Sequence, residues 1–212
     1  MRQQMLAASL VVLGLCVLVV SASAQDVYKV NYFANNVSGA PDATVRIDNP
    51  GTDGTANLCA MIYVFQNDQQ LAECCGCLVT ANGLRTLSVS KDLTSNPLTG
   101  PGTIPPNGVI KIVSAAVNGG GVTPPCDASG FTTSFGFSQE NVAPTPSIRA
   151  WGSHIQNKVG SAYPITETEF SDATLSAAEL DDNLENQCAF TQHLGSGKGV
   201  CTCGTGDVLP VD

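Results

Sequence analysis

Cys74-Cys75-Gly76-Cys77 sets the tightest limit on what this chain can fold into. Two adjacent half-cystines would need a strained ring to pair with each other, so in an oxidising compartment each is expected to bond a distant partner. Nine cysteines occur in 212 residues. Cys16 lies in an apolar N-terminal run, which leaves Cys59, Cys74, Cys75, Cys77, Cys126, Cys188, Cys201 and Cys203. An even number in an exported chain predicts a disulfide framework, here of up to four bridges. Each such bridge restricts the unfolded chain and contributes about 2–4 kcal/mol. The connectivity stays open at this point. Cys59, Cys74, Cys75 and Cys77 are expected to reach Cys126, Cys188, Cys201 and Cys203, at least in part.

Met1 to Ala24 reads as a cleaved secretory signal peptide. Arg2 supplies the basic start, Leu6 to Val20 the apolar run, and Ala22-Ser23-Ala24 the small-x-small cleavage pattern. The run is shorter than the roughly 20 residues that span a bilayer, so no membrane span is expected in the mature chain. Residues 25–212 then form a single β-rich domain, in a secreted or cell-surface protein. Eighteen acidic residues against nine basic ones give a formal net charge of −9, which becomes −10 when Arg2 leaves with the peptide. An acidic protein of this kind lacks the basic face that nucleic acid requires. Anionic membrane surfaces are excluded on the same ground. Charged residues are only 13% of the chain, which separates it from a disordered acidic tail.

The stretch Asn57–Ser90 organises the rest. Leu58 to Phe65 is a continuous apolar run that fits a strand buried on both faces, or a short buried helix. Asn67-Asp68 can turn the chain, Leu71 to Thr80 is a second strand, and Ala81-Asn82-Gly83 carries the Asn-Gly hairpin signal. Three neighbouring strands are therefore expected. Further strands are predicted at Asp26–Phe33, Ala43–Asp48, Val109–Val117, Phe131–Phe137, Ile148–Ile155 and Ala162–Ile165, separated by Gly, Pro and Asn turns. Asn96–Gly108, with four prolines, must be a loop. One helix is predicted over about 177–194. Ser176 and Glu179 form a capping box, Leu180, Leu184, Cys188, Thr191 and Leu194 share a face, and Gly195 stops it. The expected fold is mainly β: a disulfide-stapled antiparallel β-sandwich, Ig-like or jelly-roll-like, with residues 176–212 a helix plus a cysteine-rich tail packed on it.

Few residues suggest chemistry. Cys74-x-x-Cys77, with Cys201-x-Cys203, would make a four-sulfur zinc set in the cytosol. Oxidised cysteines cannot ligate zinc, so in an exported chain no metal and no cofactor are expected. No histidine follows Cys77, so haem attachment is unsupported. His154 and His193 lack the Gly-x-Ser-x-Gly elbow of a serine hydrolase, and Ser153 beside His154 is only adjacency in sequence. Glu167 and Glu169 would share a face if they lie on a strand. Such a pair can run glycoside hydrolysis or bind calcium, though a solvated face explains it as well. Asp48 and Asp53-Gly54 fall short of a calcium loop. Trp151, together with Tyr28, Tyr32, Tyr63 and the nearby His154, could line a sugar- or small-ligand-binding surface. Asn36-Val37-Ser38 matches a glycosylation sequon.

The segments AMIYVFQNDQQLAECCGCLVTANGLRTLSV, SNPLTG and PITETEF…LSAAEL…GVCTCG resemble an uncharacterised family of secreted, cysteine-rich bacterial proteins, from about Val45 onward. That resemblance implies export and brings no activity or ligand. The composite expectation is a non-enzymatic structural or interaction protein outside the cell, one that could self-assemble, for instance by Asp26–Phe33 adding to a neighbour's sheet edge. The alternatives are a carbohydrate-binding module and a hydrolase using Glu167, Glu169 or His154.

Overall fold

The computed structural model describes residues 27–34, 38–52, 57–100, 103–117, 126–129 and 144–204. The expected signal peptide, the Asn36 sequon, the Asp53-Gly54 turn and the Phe131–Phe137 strand lie outside the described residues.

Among the described residues, nine strands form two antiparallel sheets, as expected of a sandwich. The first sheet holds β1 (Tyr28–Ala34), β3 (Asn57–Gln66), β4 (Leu71–Thr80), β6 (Asn107–Ala116) and β9 (Ser171–Asp172), in the order β4-β3-β6-β1-β9. The second holds β2 (Thr44–Asn49), β5 (Gly83–Ser88), β7 (Arg149–Ile155) and β8 (Ile165–Glu169), in the order β5-β2-β7-β8. Successive side chains on a strand point to opposite faces, so β3 serves two cores. Leu58, Ala60, Ile62 and Val64 face the second sheet and pack with Val45, Ile47, Leu87 and Ala150. Cys59, Met61, Tyr63 and Phe65 face outward, against Leu184, Cys188 and Ala128. Burial on both faces is why the run from Leu58 to Phe65 contains no polar break.

The chain changes sheets at both edges. At one edge β8 and β9 are one extended segment that crosses from sheet to sheet at the buried Phe170. At the other, Ala81-Asn82-Gly83 carries the chain from β4 to β5. This corrects the expected hairpin: β5 pairs with β2, not with β4. The turn is tight, with Asn82 at a φ of 57° and a Cβ on Gly83 only 2.5 Å from Thr80 Oγ1. Leu87 can then insert between the sheets, while Arg85 donates from Nε to the Leu78 carbonyl (3.0 Å) in place of a ladder bond. β1 is likewise committed within the molecule. It pairs with β6 along its whole length and with β9 at Lys29 and Val30, so it is not a free strand awaiting a neighbour.

The four bridges are Cys59–Cys126, Cys74–Cys188, Cys75–Cys201 and Cys77–Cys203. Adjacent cysteines on β4 point to opposite faces, so Cys74 reaches the helix on the outer side while Cys75 and Cys77 reach the tail. The tail also hydrogen-bonds along the edge of β4. The Cys74 N–H donates to the Gly199 carbonyl (2.9 Å) and the Cys201 N–H to the Cys74 carbonyl (3.2 Å). An edge strand that would otherwise offer free backbone groups is thereby covered.

The helical segment begins where expected, with the Glu179 N–H donating to Ser176 Oγ (3.1 Å). It is π-helical over Glu179–Glu185 and becomes α1 only at Asn186–His193. The Glu179 carboxylate is drawn to β1 and β6, where it accepts from Tyr28 Oη (2.8 Å) and Lys111 Nζ (2.6 Å). Burial alone would raise this carboxyl, but the Lys111, Asn183 and Tyr28 donors outweigh it and hold it below the ordinary range. Leu184, Cys188 and Thr191 are buried as the helical spacing predicts. Leu194 is 49% exposed, because the wider i→i+5 turns shift the face and α1 ends one residue before it.

Gly76, in the middle of the cysteine cluster, has a steric reason. A Cβ there would lie 2.6 Å from the backbone carbonyl carbon and oxygen of Cys126. Gly76→Ala is expected to lower stability by about 1–3 kcal/mol, read as a lower denaturant midpoint. An unchanged midpoint would show that the 126–129 segment does not pack on β4.

Candidate functional site

Parity along β7 decides which candidate residues meet. Ala150, Gly152 and His154 face the interior of the sandwich, and Trp151 faces out. Cross-strand partners share a face, so Glu169 opposite Trp151 and Glu167 opposite Ser153 also point outward. Arg46 on β2 stands opposite Trp151 on the other side. Its Nη1 reaches the Glu167 carboxylate at 3.1 Å, so an ion pair spans β7 between Trp151 and Ser153. Both partners are well exposed, and the pair contributes less than about 1 kcal/mol. Asp48 and Arg149 form the next cross-strand pair on the same face, with Leu84 exposed beside Asp48. The outer side of the four-stranded sheet is therefore a surface of one indole, two guanidinium groups and three carboxylates.

His154 belongs elsewhere. It is buried on the inner side, where Nε2 lies 2.7 Å from Thr168 Oγ1 and its ring stacks on Tyr32 with centroids 4.1 Å apart. Burial lowers its pKa, so the imidazole is neutral at physiological pH. Tyr32 remains 55% exposed, and Asn31 Nδ2 donates to Thr168 Oγ1 at 3.1 Å. His154 thus stands across the sheet from Glu167 and Glu169, and the three do not converge in one cleft. Tyr28 and Tyr63 are buried, donating to Glu179 (2.8 Å) and to the Ala128 carbonyl (2.6 Å) respectively. Burial, then the bond to Glu179, pushes the Tyr28 phenol up. Of the four aromatic candidates, only Trp151 and Tyr32 reach the surface, and they lie on opposite faces. No aromatic line forms.

Glu73 escaped the sequence reading. It lies on the inner face of β4, opposite Val64, and is fully buried. Its Oε1 accepts from the Asn96 N–H at 2.5 Å, while Oε2 has no hydrogen-bond partner. Burial, opposed in part by that bond and by Lys198, raises its pKa to about 7. Its place two residues before Cys75 already put it on the face of Cys75 and Cys77, whereas a β-bulge turns Leu71 to the other face. That parity was the available signal.

The Sγ atoms of Cys75, Cys77 and Cys203 lie within 4.8 Å of one another, so two of the four bridges are side by side. Among the described residues, no helix is long and apolar enough to cross a membrane. Four disulfides fit an extracellular protein. Comparison with protein-family models, with curated proteins and with solved structures finds no match.

Proposed function

We propose that this chain is an exported structural or interaction protein that contacts its partner, or a second copy of itself, through the outer face of the four-stranded sheet. The carrying observation is the asymmetry of the sandwich. Helix, cysteine tail and residues 126–129 all pack on the five-stranded sheet or along its edge, whereas Arg46, Glu167 and Glu169 stay exposed around Trp151. A half-buried indole set among charges of both signs is an anchor of the kind that interfaces use. The mixed charges also give orientation, since each arginine and carboxylate on this face seeks its opposite. The same indole flanked by polar donors and acceptors supports the second reading, a carbohydrate-binding surface, by stacking on a sugar ring.

Trp151 is the single tryptophan, so its emission reports on this face directly. Light scattering and electron microscopy of the mature protein at rising concentration, with fluorescence on the same samples, are expected to show association with a blue shift. Trp151→Ala is expected to abolish the association while the protein stays folded by circular dichroism, at a cost in stability of about 1 kcal/mol for the half-buried indole. A strict monomer with unshifted emission sinks the self-associating form. A shift with oligosaccharide in place of protein selects the carbohydrate reading.

A further inference from the structure

Cys75–Cys201 and Cys77–Cys203 join the same two backbone segments two residues apart, with Cα separations of 5.2 and 5.4 Å. Their cysteines face the sandwich interior, away from Cys59–Cys126 and Cys74–Cys188. Three of the four sulfurs already lie within 4.8 Å of one another, and Cys201 Sγ is bonded to the Cys75 member of that trio. A tetrahedral ion with sulfur ligands at about 2.3 Å needs its sulfurs about 3.8 Å apart. Once reduced, the sulfurs of each bridge must open from about 2 Å by about 1.8 Å, and the two pairs must close on each other by no more than about 1 Å, movements within reach of side-chain rotation.

The segments that carry these sulfurs are also joined by hydrogen bonds besides the bridges. The Cys74 N–H donates to the Gly199 carbonyl and the Cys201 N–H to the Cys74 carbonyl across the strand edge, Asn96 Nδ2 donates to the Val200 carbonyl (3.2 Å), and the Thr202 N–H donates to the Asp92 carbonyl (2.9 Å). Arg85 Nη1 donates to the Cys203 carbonyl at 2.7 Å, which brings a fixed positive charge beside the sulfur set. Four thiolates around a divalent ion carry a net charge of −2, and Arg85 offsets part of it.

We propose that, when these two bridges are reduced, Cys75, Cys77, Cys201 and Cys203 bind one thiophilic divalent ion of the zinc and cadmium class. The ion and the two disulfides are alternative occupants of one sulfur set. A phosphine reductant converts each bridge to two thiols, becoming phosphine oxide with oxygen taken from water. The ion then displaces four protons as four sulfur–metal bonds form. Glutathione disulfide, taking two electrons per bridge, restores both disulfides and expels the ion. Affinity for metal thus exists only in the reduced state.

The test uses the full mature chain, reduced with a phosphine under anaerobic conditions and titrated with cobalt(II) alone. The expected result is one ion per chain by native mass, the thiolate-to-cobalt charge-transfer absorption of a tetrahedral four-sulfur site, displacement by zinc, and release on adding glutathione disulfide. Cys59→Ala/Cys126→Ala is expected to keep that spectrum, and Cys77→Ala/Cys203→Ala to lose it. Circular dichroism on the same samples follows the fold. A reduced chain that binds no cobalt overturns the proposal, whether folded or not, because the backbone bonds are claimed to hold the site. Binding by the oxidised protein, or an unchanged spectrum in Cys77→Ala/Cys203→Ala, overturns it as well.

Discussion

Removal of the Cys59–Cys126 bridge as Cys59→Ala/Cys126→Ala will cost the oxidised protein about 4 kcal/mol, whereas removal of Cys75–Cys201 or Cys77–Cys203 alone will cost less than about 1 kcal/mol. The difference is one of loop closure. Cys59–Cys126 closes 67 residues, and no other bridge touches residue 126 or its neighbours. Without it the segment is released to its full freedom in the unfolded chain, and Tyr63 loses the frame that brings the Ala128 carbonyl to its hydroxyl. Cys75–Cys201 and Cys77–Cys203 each close 126 residues, which in isolation would make them the stronger pair. They close nearly the same loop, however, so either one makes the other almost redundant. Both must be removed together before the tail beyond Cys188 is freed, and the loss is then about 3 kcal/mol. Urea unfolding of the three double variants and of the quadruple variant reads these values. Equal costs for all three bridges would show that local packing, not loop closure, sets their contribution.

Glu73→Gln will stabilise the protein at alkaline pH and do little in acid. The folded-state pKa of about 7 exceeds the ordinary 4.5 because burial penalises the charged form. Between those values the native protein retains a proton that the unfolded chain has given up. The contribution is complete below pH 4.5, declines as pH rises, and is lost once pH passes about 7. The span corresponds to roughly 3 kcal/mol or slightly more. Glutamine keeps an oxygen to accept from the Asn96 N–H but cannot ionise. The gap between the variant and the parent should therefore open from near zero at pH 4.5 to that value at pH 8, read by denaturant unfolding across the range. Glu179 works in the opposite sense, since its lowered pKa contributes stability that is lost as pH falls. Parallel pH profiles for parent and Glu73→Gln would refute the assignment.

Much of the fold could be read from residue order alone. β4 was bounded at Leu71 and Thr80 by its turns, and Cys188 was placed on the inner face of a helix by its spacing from Leu184. Both signals are local periodicities. The Asn82-Gly83 corner was misread because a hairpin and a sheet crossing use the same turn residues. The choice is made by where Leu87 finds partners, namely Val45 and its neighbours across the sandwich. The helix start was right about Ser176 and wrong about Glu179, whose carboxylate is claimed by Tyr28 and Lys111 from strands far away in sequence. At the candidate site, the separation of Trp151 from His154 was already implicit in their odd spacing on one strand. The Arg46–Glu167 ion pair was not, because it depends on the order β2-β7-β8.

The order in which the chain is made gives the tail's position beside β4 a temporal meaning. Cys59 and Cys126 can meet early, but Cys74, Cys75 and Cys77 all wait for partners between residues 188 and 203. A chain emerging from its N-terminus must carry three neighbouring thiols through most of its synthesis, with Cys126 made before their own partners arrive. Correct pairing is therefore a race between oxidation and delivery of the tail. The thiol-disulfide chemistry of the compartment, as much as the stability of the finished sandwich, decides how much of the protein reaches this structure.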